Sequence, residues 1–455
     1  MASFFIFSIV AMIFAFNFRK KSNEKETKKI ENNSYDFLIY NNEPSLQDCF
    51  ERLVNEYKNI SGIVPAVSTT NSEMLYDINK SDNPPDIFMI KNFDELKVQS
   101  QYGNVLDFIN ASEKTFQEVV KNIPEILKAK INNINNCGVP LSINGIGWAV
   151  NQKVLSNIFG EDSYKSVIND LISCSYEDFQ DFAKDINSAS SICLNENVYP
   201  IIRSPMLESV FSVPIDFSLS KFLNVVFAKF FENSSDLSNS ENISNLSGKF
   251  SNWLKMINFV TSKTSMGRGT DFISLDKNSK LKNIKSFVEG KTLFLLSDDS
   301  DYDEIKKYDF DYSSNLIFIP IKIPSSSEEN KNLNSNISVY CPYYLMINCK
   351  SSKTKMAQDF LTWVISSNVA RKCLLESNCA MYNTIDPSTI ENSLTRSAVN
   401  YLQSENSFAP VFQGIKKSWT NSVYQQLIKQ YLKSSSWTST YYDNFDMYCI
   451  KKWTY

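Results

Sequence analysis

Histidine is absent from this 455-residue chain. Without an imidazole, the chain can form no histidine-dependent catalytic triad, no H-E-x-x-H zinc site and no histidine acid or base. Enzymatic function is therefore less expected, and we predict no catalysis, no metal site and no cofactor. Glycine is scarce, at 11 residues against an average usage of about 7%. This bias runs along the whole chain and indicates no particular function.

Paired cysteine motifs and phosphate-binding glycine motifs are also missing. The nine cysteines include no C-x-x-C pair, which excludes a zinc ribbon and a thioredoxin-like site. Cys373 and Cys379 are close enough in sequence to be bridged, but the odd total leaves at least one thiol free. We expect most of the cysteines to be buried and reduced. The sequence GKT at 290–292 ends like a phosphate loop, yet Lys285 stands where the first glycine would be.

The overall composition indicates a globular protein with more than one core. Hydrophobic residues make up 43% of the chain and charged residues 21%, which is not the composition of a disordered protein. A formal net charge of −4 gives no electrostatic reason to expect a nucleic-acid partner. The length exceeds what one core ordinarily serves, so two lobes are predicted.

An apolar run occupies residues 3–18 and is followed directly by Arg19, Lys20 and Lys21. Its length fits the hydrophobic region of a signal peptide or a short membrane anchor. The basic residues follow the run instead of preceding it, which leaves open whether the segment is cleaved or retained. The charged, asparagine-rich stretch up to residue 33 is typical of a tether to a domain that begins near Ser34. We therefore predict an extracytoplasmic protein, at the cell surface or in the periplasm, exported or anchored through this segment.

Three short apolar runs predict the first strands of a sheet. Residues 36–40 (DFLIY) and 63–67 (IVPAV) flank a helix that Ser45 would cap and Gly62 would end. Its apolar residues recur at helical spacing. Residues 86–90 (DIFMI) follow two prolines, which cannot continue a helix, and predict a third strand. A strand–helix–strand unit of this kind predicts a parallel sheet.

Polar residues follow each of these strands. Asn41, Asn42 and Glu43 come after the first strand, residues 69–71 after the second and residues 91–92 after the third. The carboxyl ends of parallel strands meet at one edge of an open sheet, where ligands bind. We therefore predict that these residues converge and that Asn41, Asn42 and Glu43 bind a ligand. Ordinary polar loops are the alternative.

The segment GVPLSINGIGWAVN at 138–151 combines a strand entered through proline with two closely spaced glycines, a tryptophan and several polar side chains. This mixture is not typical of a plain core strand. It predicts backbone that runs past a polar ligand, with Asn144 and Trp148 as candidate contacts.

The order of these motifs resembles that of the extracellular solute-binding proteins of ABC importers, in particular the carbohydrate-binding family 1. A proline–aspartate strand precedes the segment 138–151, residues 287–294 (FVEGKTLF) resemble a later strand, and residues 353–365 (KTKMAQDFLTWVI) resemble a late helix of that family. The resemblance spans roughly residues 35 to 455. The residues of the segment that match the family pattern are Pro140, Asn144, Gly145, Gly147 and Asn151, with Phe159 shortly after it.

The resemblance implies an α/β fold of two Rossmann-like lobes with a ligand cleft between them, the type II periplasmic-binding-protein architecture. Lobe one would comprise residues 34–142 and 338–402, and lobe two residues 143–337 and 403–455. The segment 138–151 would then contain the first crossing between the lobes. Its glycines would absorb the backbone change on closure.

The resemblance also implies where a sugar would be held. Sugars bind against aromatic faces and pair their hydroxyls with amides and carboxylates. On this pattern Asn144 would bind a hydroxyl, and Trp148, Tyr302 and Trp419 would place rings against the sugar. For each ring, packing in the core is the alternative.

One acidic run has a spacing similar to that of a calcium loop. Asp299, Asp301 and Asp303 follow D-x-D-x-D, but Glu304 and Phe310 occupy the glycine and bidentate-acid positions, so a solvated loop is predicted instead. If Asp299 and its neighbours faced the ligand, they would favour a cationic solute such as a polyamine.

The resemblance implies a monomeric bacterial receptor that binds a sugar or oligosaccharide by lobe closure and delivers it to ABC permease subunits at a membrane. Two alternatives stay open. One is the same fold binding a polyamine or another solute, or acting as a ligand sensor. The other is an extracytoplasmic glycosidase that uses a carboxylate pair.

Overall fold

The computed structural model describes residues 35–213, 225, 228–229, 248–264, 279–324, 333–409, 417–432, 434 and 437–453. The predicted signal or anchor segment and its tether, residues 1–33, lie outside the described residues. Among the helices in the described ranges, none has the length and hydropathy needed to cross a bilayer.

The described part of the chain contains both strands and helices. The strands are β1 (Phe37–Asn41), β2 (Pro65–Thr69), β3 (Ile87–Ile90), β4 (Gly138–Pro140), β5 (Asn144–Asn151), β6 (Ser191–Leu194), β7 (Asn197–Pro200), β8 (Ser209–Ser212), β9 (Thr292–Asp298), β10 (Leu316–Ile319), β11 (Ile337–Tyr340), β12 (Tyr344–Ile347) and β13 (Ser407–Phe408). The α-helices are α1 (Gln47–Ser61), α2 (Phe93–Gln101), α3 (Lys114–Lys121), α4 (Gln152–Phe159), α5 (Tyr164–Ser173), α6 (Tyr176–Asp185), α7 (Lys249–Ser262), α8 (Ser279–Val288), α9 (Tyr302–Tyr308), α10 (Phe310–Ser314), α11 (Thr354–Ser366), α12 (Asn368–Leu375), α13 (Ser393–Gln403), α14 (Lys417–Gln426) and α15 (Ser439–Trp453).

The chain forms two compact units, each built from separate stretches of sequence. Of the described residues, unit 1 contains those up to Ile123, together with Lys128–Val139 and Tyr343–Ser377. Unit 2 contains the described residues of Pro124–Leu127, of Pro140–Pro342 and from Asn378 onward. The segment 138–151 therefore changes unit between Val139 and Pro140.

Unit 1 is built on a five-stranded sheet of order β2-β1-β3-β12-β4. Strand β1 pairs in parallel with β2 and with β3, while β12 is antiparallel to β3. The predicted strand–helix–strand unit and its parallel sheet are confirmed. Residues Ile87–Ile90 are buried throughout, as expected for a central strand covered on both faces.

Helix α1 begins and ends at residues that the sequence only partly identified. The predicted cap, Ser45, lies instead in a short 3-10 turn over Pro44–Leu46, and the Glu43 carboxylate accepts the Ser45 N–H of that turn at 3.3 Å. The helix ends, as predicted, at Gly62, whose φ of 74° lies in the left-handed region that favours glycine. Its inward face contains the apolar residues that recur at helical spacing, Phe50, Leu53, Val54 and Tyr57.

Unit 2 is built on a mixed sheet of order β13-β11-β5-β9-β8, with β10 also paired to β5. Strand β5 is antiparallel to β9, β10 and β11, and β8 is parallel to β9. Residues of β5 and β9 are buried almost throughout, so both strands are apolar without strict alternation. Their side chains join those of α6, α7 and β8 in one large core.

The two glycines of β5 are required by close packing. A Cβ added at Gly145 would lie 2.8 Å from the Ala398 Cβ, and one added at Gly147 would lie 3.0 Å from the carbonyl oxygen of Ile319. Both approaches are too tight for a side chain without local movement. The sequence analysis predicted that these glycines absorb backbone change on closure. Within unit 2 their contacts give a different reason for glycine, because α13 and β10 approach β5 closely at these two positions.

Helix α13 belongs to unit 2. The Phe318 N–H donates to Ser397 Oγ at 3.0 Å, and the Tyr401 hydroxyl donates to the Phe318 carbonyl at 3.0 Å, which fastens the helix to β10. The sequence-based division differs from this arrangement, since it placed residues 338–402 in lobe one. Sequence periodicity identifies a helix but not the sheet on which it packs.

Two lysines are buried inside unit 2. The Lys322 ammonium donates to the carbonyls of Ile172 at 2.6 Å and Asn334 at 2.8 Å. The Lys229 ammonium donates to the Ile321 carbonyl and lies 5.4 Å from the centre of the Phe408 ring. Burial lowers the pKa of Lys322 to about 8 and lowers the pKa of Lys229 as well.

We expect Lys322 to make stability increase with pH between 7 and 9. Its pKa is about 8 in the folded chain and 10.5 ordinarily, so across this window the unfolded chain binds more protons. Raising the pH therefore favours the folded chain by about 1 kcal/mol through this residue. Urea unfolding of the natural chain and of Lys322→Met at pH 7, 8 and 9 measures the effect.

The difference between the two chains isolates Lys322 from other titrating groups. Burial raises the pKa of Cys174 to about 11, and this thiol acts in the opposite direction once the pH exceeds 9. The natural chain should gain stability relative to Lys322→Met as the pH rises. Parallel pH profiles would show that Lys322 titrates normally.

Candidate functional site

Asn41 lies at the carboxyl end of β1 and holds the start of the following loop. Its side-chain N–H groups donate to Thr69 Oγ1 at 3.3 Å and to the Glu43 carbonyl at 3.0 Å, and its side-chain oxygen accepts the Glu43 N–H at 3.0 Å. The residue is fully buried. Asn41 therefore joins β1 to β2 and shapes the loop, and it offers no exposed group to a solute in this structure.

Asn42 and Glu95 form a buried polar cluster next to this loop. The Asn42 side-chain amide donates to both Glu95 oxygens, at 3.1 and 3.3 Å. Glu95 also accepts the backbone N–H groups of Met74 at 3.2 Å and Lys91 at 2.8 Å, and both Asn42 and Glu95 are 0% exposed. One buried carboxylate thus ties together the segments that follow β1, β2 and β3.

Lys91 and Glu43 lie next to this buried cluster, which serves as a buried support, and their side chains are partly exposed. The Lys91 ammonium donates to the Asn42 carbonyl at 2.8 Å and lies 3.6 Å from a Glu43 carboxylate oxygen. Their side chains are 22% and 23% exposed. The predicted convergence of polar residues at the carboxyl edge of unit 1 is confirmed, but among these residues only Glu43 and Lys91 present charged groups that a solute could reach.

The sequence analysis missed Glu95, although a signal was available. Asn92 precedes α2, and its side chain accepts the Glu95 N–H at 2.9 Å. The pattern N-x-x-E is that of a capping box, which identifies a helix start. In this fold the Glu95 carboxylate bonds to the Lys91 N–H and to more distant segments, so its main role is tertiary.

Two acids of the run in unit 2, Asp299 and Asp301, are buried and bonded to the unit's own groups, while Asp303 is exposed. Asp299 accepts the Gly145 N–H at 3.0 Å and the Thr395 hydroxyl at 2.9 Å, and Asp301 accepts the Ser297 hydroxyl at 2.9 Å and pairs with Lys280. The prediction of a solvated loop is wrong for Asp299 and Asp301, because folding surrounds their carboxylates with donors. Asp299 fastens the start of β5 to the first turn of α13 and is not placed to contact a solute.

The predicted sugar-stacking aromatics are buried within unit 2, and two of them, Trp148 and Trp419, belong to its large core. Trp148 is 0% exposed, and its ring centre lies 4.8 Å from that of Phe211. Tyr302 is 1% exposed, and Trp419 is 4% exposed with its indole N–H donating to the Cys449 carbonyl at 2.9 Å. A ring this deeply buried has no exposed face for a sugar in this structure. For all three, this structure corresponds to the alternative of core packing.

Asn144 differs from these rings because it is only half buried. It begins β5 and lies opposite Tyr340 in the register of β5 with β11. Tyr340 is also half buried, and its hydroxyl donates to an Asp298 carboxylate oxygen at 3.4 Å. Asn144 stays a predicted hydroxyl-binding residue, and Tyr340 is a neighbouring polar group that the sequence analysis did not select.

The described site groups suit reversible binding through hydrogen bonds. In unit 1, Glu43 supplies acceptors and Lys91 supplies donors. In unit 2, considered by itself, Asn144 and Tyr340 can supply both. Hydrogen bonds to charged groups contribute more than neutral ones, about 1.5 to 3 kcal/mol each. Within the described residues no group of histidine, cysteine, aspartate and glutamate side chains could hold a metal ion.

Comparison with known proteins identifies the fold. No protein-family profile matches the chain, and no curated protein matches it. Among solved structures, a family 1 extracellular solute-binding protein from Bifidobacterium longum subsp. infantis is similar, with a TM-score of 0.61, 16% identity and coverage of 92% of this chain and 98% of that one. The bacterial solute receptor AcbH, described as preferring β-D-galactopyranose exclusively, has a TM-score of 0.64 at 11% identity, with 91% and 97% of the two chains covered.

A third similar structure has a different origin. A de novo designed esterase has a TM-score of 0.61 at 10% identity, covering 92% of this chain and 98% of that one. At such identities the likeness shows the fold alone. The chain has the two-lobed α/β fold of periplasmic-binding-protein-like solute receptors, and the predicted fold class is confirmed.

Proposed function

We propose that this chain is an extracytoplasmic solute-binding receptor of an ABC importer. It binds a sugar or oligosaccharide by lobe closure and delivers it to permease subunits in a membrane. The observation that carries the proposal is the polar carboxyl edge of unit 1, where Glu43 and Lys91 are held on a buried support. In open α/β sheets, ligands bind outside the carboxyl ends of the strands.

A hydroxyl-rich solute suits the accessible groups better than a cationic one. Glu43 and Lys91 form a balanced pair that can accept from and donate to hydroxyls. Asp299 and Asp301, which could have favoured a polyamine, already bond to Gly145, Thr395 and Lys280 within unit 2. Because the predicted stacking rings are packed in the core, polar contacts supply the proposed recognition. The structures of similar fold also include one of a Streptococcus pneumoniae solute-binding protein in complex with the blood group A-trisaccharide.

We propose no enzymatic activity. The chain has no histidine to act as an acid or base. A carboxylate pair could still support a glycosidase, and the same fold occurs in a designed esterase. Turnover of a chromogenic glycoside by the purified chain would contradict this part of the proposal.

The location and assembly of the chain are also proposals. The apolar run at residues 3–18 would export the protein or anchor it to the outer face of the membrane. The receptor would act as a monomer beside its permease. Fractionation of expressing cells, followed by protease treatment of intact cells, tests whether the folded part lies outside.

A thermal-shift panel tests the binding function. A ligand that binds only the folded chain raises its melting temperature by mass action, so sugars, oligosaccharides, polyamines and peptides can be compared on the full chain. We expect a saccharide to raise the melting temperature and a polyamine to leave it unchanged. A shift with spermidine and with no saccharide would overturn the sugar assignment.

We expect Asn144→Ala to weaken saccharide binding by about 1 to 2 kcal/mol through loss of a hydrogen bond to a hydroxyl. The melting temperature of the free chain should stay nearly unchanged, because the side chain is only half buried. Isothermal titration with the saccharide found in the panel measures the affinity. Asn169→Ala, an exposed change on α5, is the matched control. A large loss of melting temperature in Asn144→Ala would make Asn144 a structural residue.

A further inference from the structure

Two cysteines far apart in sequence meet inside unit 1. Cys49 lies in α1 and Cys373 lies in α12, and the Cys49 thiol donates to the Cys373 carbonyl at 3.6 Å. The two residues are separated by 324 positions in the chain. Both are buried, with exposures of 1% for Cys49 and 8% for Cys373, and both are free thiols in this structure.

The helices that contain these cysteines are held together by a polar cluster beside the thiols. Arg52, one turn after Cys49, pairs with Glu376 and donates to Ser377 Oγ at 2.8 Å and to the Cys373 carbonyl at 3.5 Å. The arginine therefore bonds to three residues at or just beyond the end of α12. This arrangement fixes the spacing of α1 and α12 and keeps the two cysteines side by side.

The environment of Cys49 favours a slow reaction with external reagents. Burial raises the pKa of the Cys49 thiol, although the Ser377 hydroxyl and the Arg52 charge act in the opposite direction. Burial also raises the pKa of the Cys373 thiol, which is the more exposed of the two. Reaction should therefore begin at Cys373, and Cys49 should act as its resolving partner.

We propose that Cys49 and Cys373 are a redox pair that closes to a disulfide between α1 and α12 in an oxidising environment. With oxidised glutathione as the oxidant, the Cys373 thiolate attacks one sulfur of glutathione disulfide and releases one glutathione. The Cys49 thiolate then attacks the Cys373 sulfur of the mixed disulfide and releases the second glutathione. The two cysteine protons pass to the released glutathione thiolates, so the two cysteines are oxidised by two electrons and one glutathione disulfide is reduced.

This pairing differs from the bridge that the sequence suggested between Cys373 and Cys379. Cys379 belongs to unit 2, whereas Cys373 and Cys49 belong to unit 1. A bond between Cys49 and Cys373 would close most of the chain into one covalent loop. Closing a long loop restricts the unfolded chain more than closing a short one, so the disulfide should stabilise unit 1.

Peptide mapping tests the proposal. The full chain is incubated with oxidised glutathione, its remaining thiols are blocked with N-ethylmaleimide under denaturing conditions, and it is digested with trypsin and a glutamyl endopeptidase. Cleavage after Glu376 separates Cys373 from Cys379, so the two possible bridges give different peptides. We expect a linked peptide containing Cys49 and Cys373, lighter than its two reduced parts by two hydrogen atoms.

Variants and a stability measurement provide the controls. Cys49→Ser and Cys373→Ser should abolish the linked peptide, while Cys349→Ser, which removes an exposed thiol of unit 1, should leave it unchanged. The oxidised natural chain should melt several degrees above the reduced chain, and neither Cys49→Ser nor Cys373→Ser should show this difference.

Two outcomes would overturn the proposal. A linked peptide between Cys373 and Cys379 would show that the nearer cysteine in sequence is the partner. Recovery of Cys49 and Cys373 as maleimide adducts, with glutathione attached only to the exposed Cys193 and Cys349, would show that the buried pair does not react.

Discussion

Replacing Glu95 by alanine should lower the free energy of unfolding by about 3 to 5 kcal/mol. The change removes the acceptor for the backbone N–H groups of Met74 and Lys91 and for the Asn42 side chain, all in a fully buried setting. Each donor left without an acceptor has a desolvation cost of about 1 to 3 kcal/mol. Urea unfolding followed by circular dichroism measures the loss.

The effect should be specific to the buried position of this acid. Glu118→Ala removes an exposed carboxylate from α3 of the same unit and should change stability by less than about 0.5 kcal/mol. Glu95→Gln keeps the shape and one acceptor oxygen, so its stability should lie between the natural chain and Glu95→Ala. Equal stability of all three variants would show that the cluster around Glu95 contributes little.

The second large effect is expected for Trp148→Ala, which should lower the free energy of unfolding by about 3 to 5 kcal/mol. The ring is fully buried against Phe211 and Phe294, so its removal leaves a cavity in the core of unit 2. Thermal and urea unfolding measure the loss. Once the variant is folded, its affinity for the saccharide found in the panel should be unchanged, because the ring has no face toward a solute.

Tyr308→Ala provides the matched control for this prediction. Tyr308 is an aromatic residue of unit 2 that is 46% exposed, so its removal should cause little loss of stability. Trp419→Ala should behave like Trp148→Ala, since that ring is also buried. Full stability together with weakened sugar binding in Trp148→Ala would contradict core packing and assign the Trp148 ring to the binding site.

Local sequence patterns could predict some features of the candidate site but not others. The strands, their polar ends and their convergence in unit 1 could be predicted because parallel strands bring their carboxyl ends to one edge. Local sequence could not show that the side chains of Asn41 and Asn42 are used in internal hydrogen bonds, or that Glu95 is the partner of Asn42. Those bonds join residues as far apart as 53 positions, and no local pattern contains both partners.

The aromatic residues illustrate the same limit more sharply. A tryptophan in a motif of solute receptors can face a sugar or the core, and its ring suits both places because it combines apolar area with one polar N–H. For Trp148 the choice is made by β8 and β9, which place Phe211 and Phe294 against it. The burial of Asp299 and Asp301 is decided in the same way, because donors from β5, α8 and α13 surround their carboxylates.

The sequence by itself determined the fold class, most of the strands of unit 1, the end of α1 at Gly62 and the absence of any histidine-based chemistry. The fold class follows from the resemblance in the order of motifs. The other features follow from periodicity, from the conformational range of glycine and from residue identity, which are local properties. Only the tertiary structure decided which polar groups remain accessible, that α13 packs in unit 2, and that Cys49 is the neighbour of Cys373. These follow from which distant segments share a core, because packing and buried hydrogen bonds are properties of pairs of residues that the linear chain keeps apart.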